Sequence, residues 1–339
     1  MTKKFVLFLL AAVILIGAAG VFSWYQFASQ KPLAEKTKYY RVGLLQMTPT
    51  VAENMEGFKL GLAELGYQEG ENIEYFYRDA NGDLEALKKY AAEVIAWKPD
   101  MIFVNTSPAT LAVKKAAAAS GIPVVFSMVA DPLGAGIVSP TLADNKNITG
   151  TGCAYIDIAA KRLQLLKEID PRVKKVLIFY RPEDKSGAPA AEKIINAGSQ
   201  IGVEIVPVTI SKKEDIQSYL TNLSAGEVDA IMDPADSMAT AGLTEWGMAK
   251  ARELKIPLMM LSKGECASGA LASFGVDYID LGKQTALIAN QVLNGISPAD
   301  IPFEQPRKWF FALNLKIATD IGLTIPETIL EKADLVIKD

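Results

Sequence analysis

The 339-residue sequence contains no histidine and only two cysteines, Cys153 and Cys266. Without histidine the chain lacks the commonest general base, the Ser-His and Cys-His nucleophile pairs, and the usual ligand of transition metals. The two cysteines stand far apart and without a CxxC spacing, so neither a zinc site nor a disulfide framework is indicated. We therefore expect no metal site and two buried, unreactive thiols.

Basic clusters and the common catalytic motifs are also missing. The net charge is −4, and no basic cluster is interleaved with aromatic residues, which argues against nucleic acid as a partner. The sequence has no GxGxxG, GxxxxGK[ST] or GxSxG motif. An acid–base enzyme that pairs carboxylates among Asp131, Asp233 and Asp277 remains the alternative from another class. We expect no catalytic activity and no cofactor.

The N-terminus has the pattern of an export or anchoring signal. Lys3 and Lys4 precede an uncharged apolar run over residues 5–22, and aromatic residues follow it. Eighteen residues is the lower limit for spanning a bilayer and exceeds a typical signal-peptide core. Residues 1–30 are therefore a cleaved signal peptide or a retained membrane anchor, and residues 31–38 a polar linker. No cysteine follows the run for lipid attachment, and either alternative places the folded part outside the cytoplasmic membrane.

From residue 39 onward, short apolar segments alternate with amphipathic ones, as in βαβ units around a parallel sheet. The pattern predicts a first set of strands at 42–46, 73–77, 101–104 and 124–127. It predicts a second set at 176–180, 204–208, 230–232, 258–261 and 270–273. Helices are predicted at 51–65, 84–96, 159–169, 188–201 and 280–293, with Gly66 and Gly202 as left-handed caps. The composition changes over residues 144–157, which indicates a crossing between two α/β lobes.

In open parallel sheets, ligands bind beyond the carboxyl ends of the strands. The residues at or just after predicted strand ends are therefore the candidate ligand contacts: Gln46, Thr106, Ser107, Ser127, Asp131, Tyr180, Asp233, Asp236, Phe274 and Asp277. Ser107 and Pro108 favour a helix start, and its free N–H groups with the hydroxyls of Thr106 and Ser107 would suit a carboxylate. An ordinary helix cap is the alternative at this turn. Each aspartate taken singly is also typical of a cap, Asp131 and Asp236 in particular.

Several segments together resemble the ABC-transporter substrate-binding protein family, TrpX-like members in particular, over residues 40–326. They are GFKLGLAELGYQEGENIEYFYRDANGD, FSMVADPLGAGIV, GALASFGVDYIDLGKQTALIANQVLNG and IPFEQPRKWFFALNLKIATDIGLTIP. The resemblance implies a type I periplasmic-binding-protein fold: two Rossmann-like lobes with parallel sheets, joined by a three-crossing hinge. It implies an N-terminal lobe of residues 39–150 plus about 277–304 and a C-terminal lobe of 151–276 plus about 305–339.

The resemblance also implies a function. Members with assigned ligands bind amino acids, particularly aromatic ones, and deliver them to a permease driven by an ATPase. The chain departs from the family pattern at residues 180–184, where YRPED replaces the usual Asn-Pro turn, and in its cysteine-free N-terminus. A sugar or nucleoside ligand on the same fold, and a membrane-tethered ligand sensor, remain alternatives. We expect a monomer.

An amino acid needs partners for both of its charges, because burying either one unpaired is costly. Thr106 and Ser107, aided by Ser127, are the candidates for the carboxylate. The candidates for the ammonium group are Asp233, Asp236 and Asp277, the last two ranked first. Tyr180 and Phe274 offer stacking surface, and Gln46 a polar contact.

Overall fold

Short apolar segments bounded by glycine, proline and aspartate form two separate β-sheets. The computed structural model describes residues 38–117 and 119–338, and the predicted signal or anchor over residues 1–30 lies outside them. Both sheets belong to one unit, Tyr40–Asp339. Within the described ranges, none of the helices combines the length and the apolar character that a membrane span requires.

The first sheet has five parallel strands in the order β2-β1-β3-β4-β5. They are β1 (Tyr40–Gln46), β2 (Ile73–Asp79), β3 (Met101–Asn105), β4 (Val124–Val129) and β5 (Ile148–Gly152). Every residue of β3 and β4 is buried, as expected for central strands that are covered on both faces. Strand β5 occupies part of the segment 144–157, so the crossing between lobes begins only after Gly152.

The second sheet has seven strands in the order β12-β11-β10-β9-β8-β6-β7. They are β6 (Lys175–Tyr180), β7 (Glu204–Thr209), β8 (Ala230–Met232), β9 (Leu258–Met260), β10 (Ala272–Gly275), β11 (Phe310–Asn314) and β12 (Leu335–Ile337). All neighbours pair in parallel except β10 and β11, which are antiparallel. The expectation of parallel sheets therefore holds for every other pair, and β11 and β12 run opposite to the other five strands of this sheet.

The helices flank these sheets. In chain order they are α1 (Ala52–Glu64), α2 (Leu84–Ala96), α3 (Ser107–Ala117), α4 (Tyr155–Ile169), α5 (Gly187–Ile201), α6 (Lys213–Asn222), α7 (Ser237–Gly242), α8 (Met248–Leu254), α9 (Lys263–Ser268), α10 (Tyr278–Leu293), α11 (Leu315–Asp320) and α12 (Glu327–Leu330). A π-helical turn, Leu243–Gly247, joins α7 to α8. Gly66 and Gly202 adopt left-handed conformations at helix ends, as predicted.

The chain passes between the sheets at three places: after β5, after β10 and before β11. Gly152 N donates to Glu304 O and Glu304 N donates to Gly150 O, which ties the first crossing to the third. Helix α10 returns to the first sheet and packs closely on α1. A Cβ at Gly282 would lie 2.1 Å from the backbone oxygen of Asn54, so this approach requires glycine.

Candidate ligand-binding cleft

The loops after several strands of both sheets meet around a cavity of about 50 Å³, here called the inner cavity. The first lobe contributes Thr48, Thr50, Thr106, Ser107, Met128 and Ala130 to its wall. The second lobe contributes Asp184, Ser186, Ala235, Ser237, Thr240 and Leu261. Cys153, Tyr155 and Tyr278 line it from the crossings. Residues far apart in the sequence therefore converge where the strands of both lobes end.

A larger space of about 600 Å³, here called the outer chamber, lies beside the inner cavity. The two share Thr48, Thr50 and Ser237 in their walls. The remaining wall of the outer chamber includes Met47, Pro49 and Asp83 from the first lobe and Arg181, Lys213 and Met238 from the second. Ligand pockets usually measure about 300–1,000 Å³. The outer chamber is within that range, whereas the inner cavity is far below it.

Thr106 connects β3 to α3 and lies in the wall of the inner cavity. Its backbone N–H donates to Ser127 O, and its backbone oxygen accepts from the N–H and hydroxyl of Thr110, which fixes the turn. The Thr106 side chain is buried, and Oγ1 has no hydrogen-bond partner among the described residues. A buried hydroxyl without a partner costs about 1–3 kcal/mol. It lies beside the N-terminus of α3, whose first N–H groups have no partner within the helix.

Four of the eight non-glycine residues with positive φ in the described part of the chain lie at the same place. Thr106, Met128, Ala154 and Ala235 have φ values of 73°, 59°, 47° and 68°, in the left-handed region that L side chains rarely adopt. Three of them line the inner cavity, and Ala154 lies between Cys153 and Tyr155, which also line it. Such residues cost about 1–3 kcal/mol each and cluster at ligand clamps and active sites.

The two lobes touch directly across the inner cavity. Ser107 Oγ, at the start of α3 in the first lobe, lies 3.1 Å from Ser186 Oγ, which precedes α5 in the second. Both side chains are buried. The lobes must therefore separate before a solute can enter.

The second lobe contains a buried acidic cluster of Arg181, Asp184 and Asp236, of which Asp184 lines the inner cavity. Arg181 donates from Nη2 to Asp184 Oδ2 at 2.6 Å, and its Nη2 lies 3.0 Å from Asp236 Oδ1. All three side chains are at most 8% exposed. Burial and the neighbouring Asp236 raise the pKa of Asp184. The group carries two carboxylates for one guanidinium, so it bears a net negative charge when both are ionised.

Two tyrosines close the inner cavity on the hinge side. Tyr155 begins α4 and Tyr278 begins α10, and both are buried. Burial raises the pKa of each phenol well above its usual value. Both therefore stay neutral near pH 7 and offer aromatic surface and hydroxyl groups.

A second buried charge cluster underlies the rim of the second lobe. Arg162 is fully buried and donates to the backbone oxygens of Asp233 and Met260, at the ends of β8 and β9. Burial, followed by the charge of Glu265, raises the pKa of Asp233 to about 7. Arg162 thus holds the ends of β8 and β9, which lead to Asp236 and to the loop after β9.

Comparison with known proteins decides the family. Residues 42–337 match the sequence profile of the family described as ABC transporter substrate binding protein. The chain belongs to this family.

Curated and structural relatives agree with this assignment. A tyrosine-binding protein of Clostridioides difficile is 27% identical over 277 residues, 81% of this chain and 79% of that protein. The structure of an ABC domain in complex with L-Trp from Streptococcus pneumoniae is 26% identical, with a TM-score of 0.79 over 88% of this chain and 100% of that one. A conserved domain protein from Vibrio cholerae is 28% identical, with a TM-score of 0.80 over 89% of this chain and 100% of that one. The predicted family and two-lobed α/β fold are confirmed.

The backbone of this substrate-binding protein is more similar to that of a ligand complex than to that of an open relative. A ligand-free, open substrate-binding protein from Clostridium difficile is also 26% identical and matches the same shares of both chains, 88% and 100%, but with a TM-score of only 0.64. The L-Trp complex, at equal identity and coverage, scores 0.79. The higher score agrees with the small inner cavity and the contact between Ser107 and Ser186.

Of the ten candidate contacts, the structure places Thr106 and Ser107 in the wall of the inner cavity. Asp236 lies behind the wall: it caps α7 through Met238 N and Ala239 N, and both of its oxygens accept from Arg181. Asp233 is completely buried beneath the rim. Asp277 caps α10 and pairs with Lys263, at a separate surface groove behind the hinge.

The other candidates face other surroundings. Gln46 donates to Asp79 Oδ2 at 2.6 Å and lines a separate groove on the first lobe. The Ser127 side chain is buried, and its hydroxyl forms hydrogen bonds with the hydroxyls of Thr151 and Thr285. Asp131 accepts from Gly134 N in a local turn. Tyr180 and Phe274 pack against the core of the second lobe.

Several wall residues were not among the ten candidate contacts, for example Thr48, Asp184, Ser186, Tyr155 and Tyr278. Asp184 and Ser186 follow β6 by four and six residues, beyond the positions directly after the strand. The tyrosines follow crossings whose course depends on both lobes. The sequence signal for Asp184 was the segment YRPED at residues 180–184, where the chain departs from the usual Asn-Pro turn of the family.

The donors for a metal ion are not assembled in the described part of the chain, where no three Cys, Asp or Glu side chains form a candidate cluster. Both cysteines are buried and unpaired. Burial raises the pKa of each thiol to about 12, so neither is a reactive thiolate near neutral pH.

Proposed function

We propose that this protein binds a free amino acid, with aromatic ones favoured, in the cleft between its lobes and delivers it unchanged to an ABC permease. The observation that carries the proposal is the buried, unpartnered hydroxyl of Thr106, a residue that precedes α3 and lines the inner cavity. The relatives support the ligand class, since one is a tyrosine-binding protein and another was crystallised with L-Trp.

The carboxylate of the ligand binds at the start of α3. Thr106 Oγ1, the hydroxyl of Ser107 and the first N–H groups of the helix can donate to it, and the helix dipole favours a negative charge there. The left-handed conformation of Thr106 aims this donor, and the bonds to Ser127 O and Thr110 hold it. The ligand thereby provides the partner that the hydroxyl otherwise lacks.

The side chain of the ligand extends into the outer chamber. With a volume of about 600 Å³, this space accommodates an aromatic ring, which the inner cavity of about 50 Å³ does not. Met47, Pro49 and Met238 supply apolar surface, and methionine adapts well to aromatic rings. Large apolar side chains should therefore bind better than small polar ones.

The division into lobes follows the chain crossings. We assign residues 39–152 and about 277–304 to the N-terminal lobe, because β5 ends at Gly152, α10 packs on α1, and Thr285 bonds to Ser127 of β4. Residues 153–276 and about 305–339 form the C-terminal lobe, because β11 and β12 extend the second sheet. A hinge of three crossings allows the lobes to rotate apart and close on a solute.

Residues 5–22 export the folded part or anchor it at the outer face of the cytoplasmic membrane, where it acts as a monomer. An apolar run of this length after two lysines supports both alternatives. A cleaved protein would lack these residues in N-terminal sequencing of the mature form, and an anchored one would retain them in the membrane fraction.

Ligand class is tested by a thermal-shift screen of the purified full-length protein against amino acids, sugars and nucleosides, followed by calorimetry. We expect aromatic L-amino acids to raise the melting temperature most and to bind one per chain. A shift with sugars or nucleosides and none with amino acids would contradict the proposal. Recovery of a chemically changed amino acid after incubation would contradict the transport role.

A further inference from the structure

We propose, on the basis of the function above, that Asp184 binds the ammonium group of the ligand and that Arg181 positions it. The cleft would then select compounds with a free amino group next to the carboxylate. This assigns a role to a wall residue on the lobe opposite to Thr106.

The buried acidic cluster carries a net negative charge when both of its carboxylates are ionised. Arg181 contributes one positive charge and Asp184 and Asp236 two negative ones, all three at least nine-tenths buried. A buried net charge is costly unless it finds a partner, and a single ammonium group would balance this one. The raised pKa of Asp184, caused by burial and by Asp236, agrees with a carboxylate that lacks enough positive charge around it.

Of the two carboxylates, only Asp184 lines the inner cavity. Asp236 uses both oxygens behind the wall, where they accept from Arg181 N and Nε and from the first N–H groups of α7. Asp184 accepts from Ser186 N and Gly187 N at Oδ1 and from Arg181 at Oδ2. A carboxylate has about four acceptor positions, so Asp184 retains capacity for one more donor.

The two walls are complementary to a zwitterion. The first lobe presents the unpartnered Thr106 hydroxyl and the helix N-terminus, and the second presents a carboxylate. The contact at 3.1 Å between Ser107 and Ser186, two residues after Asp184, brings these walls to within reach of one small molecule. An amino acid would bond to both lobes at once, whereas a compound without the ammonium group would bond mainly to the first.

The test compares two probes in each protein variant by calorimetry. The probes are L-tyrosine and its deaminated analogue, which keeps the ring and the carboxylate, and the pair L-tryptophan and its deaminated analogue serves as a repeat. The readout is the ratio of the two dissociation constants. In the wild type we expect a preference for the amino acid of about 10- to 100-fold, the range of a hydrogen bond to a charged group. In Asp184→Asn this preference should fall to within about threefold, mainly through weaker binding of the amino acid.

The matched control is Asp170→Asn, which alters another buried aspartate paired with an arginine, Arg172, at the far end of α4. It should leave the ratio as in the wild type. If Asp184→Asn does not fold by circular dichroism, Asp184→Ser replaces it, because serine can still accept from the N–H groups at the start of α5. Arg181→Lys should preserve the preference and Arg181→Gln should weaken it, a difference that loss of packing alone would not produce.

The outcomes separate the two proposals. A wild type that binds neither amino acid would overturn the proposed function and this inference with it. A wild type that binds amino acids but keeps its full preference in both neutral variants at position 184 would overturn the inference alone. The same holds if the wild type binds the deaminated analogues as tightly as the amino acids.

Discussion

Replacing Thr106 with glycine should stabilise the fold and weaken ligand binding at the same time. The left-handed conformation of Thr106, with φ 73°, costs roughly 1–2 kcal/mol. Its buried, unpartnered hydroxyl costs about another 1–3 kcal/mol. Glycine removes both penalties because it adopts this conformation freely and has no hydroxyl group.

Two losses oppose this gain. Glycine has more freedom in the unfolded chain, at a cost of about 0.5–1 kcal/mol, and the buried β-carbon and methyl group are lost, at about 0.8 kcal/mol each. We expect a net stabilisation of about 1 kcal/mol. Binding should weaken by about 1.5–3 kcal/mol, or roughly 10- to 100-fold, because a donor to the ligand carboxylate is lost.

The assay is urea unfolding of the ligand-free protein together with calorimetry of L-tyrosine binding. Thr106→Ser keeps the hydroxyl and should bind within about threefold of the wild type. Lys98→Gly, at an exposed turn with φ 54°, is the control for backbone strain alone and should leave binding unchanged. A Thr106→Gly variant that is less stable than the wild type and binds normally would refute the reasoning, since Thr106 would then be a structural residue.

Three further predictions concern the titration, closure and packing of the molecule. The pKa of Asp233 is about 7 in the folded protein, and its ordinary value is 3.8. The free energy of unfolding of the wild type relative to Asp233→Asn should therefore be highest below about pH 4 and fall by up to about 4 kcal/mol as the pH rises to about 7. A difference in urea unfolding that does not change with pH would contradict this prediction. Ser186→Ala removes a hydrogen bond between the lobes worth about 1 kcal/mol, so small-angle scattering of the ligand-free protein should show a larger radius, and an unchanged curve would argue against the contact. Gly282→Ala should lower the free energy of unfolding by roughly 1–3 kcal/mol, because its Cβ would lie 2.1 Å from Asn54 O. Leu287→Ala, on the exposed side of α10, should lower it by less. Equal effects of the two substitutions would contradict the close packing of α10 on α1.

The sequence predicted the helices and strands that are marked by local features such as a capping residue or a short apolar run. The predicted helix at 84–96 matches α2, whose start is fixed by the Asp83 side chain capping two N–H groups. Strands β3 and β4 were predicted from short apolar runs, which suit positions buried on both faces. By contrast, β5 has the sequence ITGTG, with one large apolar residue, and it is a strand because β4 pairs with it.

The cleft was harder to predict because its parts meet only after folding. Thr106 and Ser107 were found because a strand end and a helix start leave a local signature in the sequence. Asp184 and Asp236 are 52 positions apart, and no local pattern reveals that Arg181 joins them. Asp236 also fits the cap signature, and the structure shows it capping α7, so a local rule for ligand contacts could not separate the two roles.

The most direct test of the central claim is a crystal structure of the protein loaded with L-tyrosine. We predict one unaltered molecule between the lobes, with its carboxylate within hydrogen-bond distance of Thr106 Oγ1 and its ring in the outer chamber. A solute bound away from the two lobes' facing walls, or one that has been chemically converted, would contradict the claim.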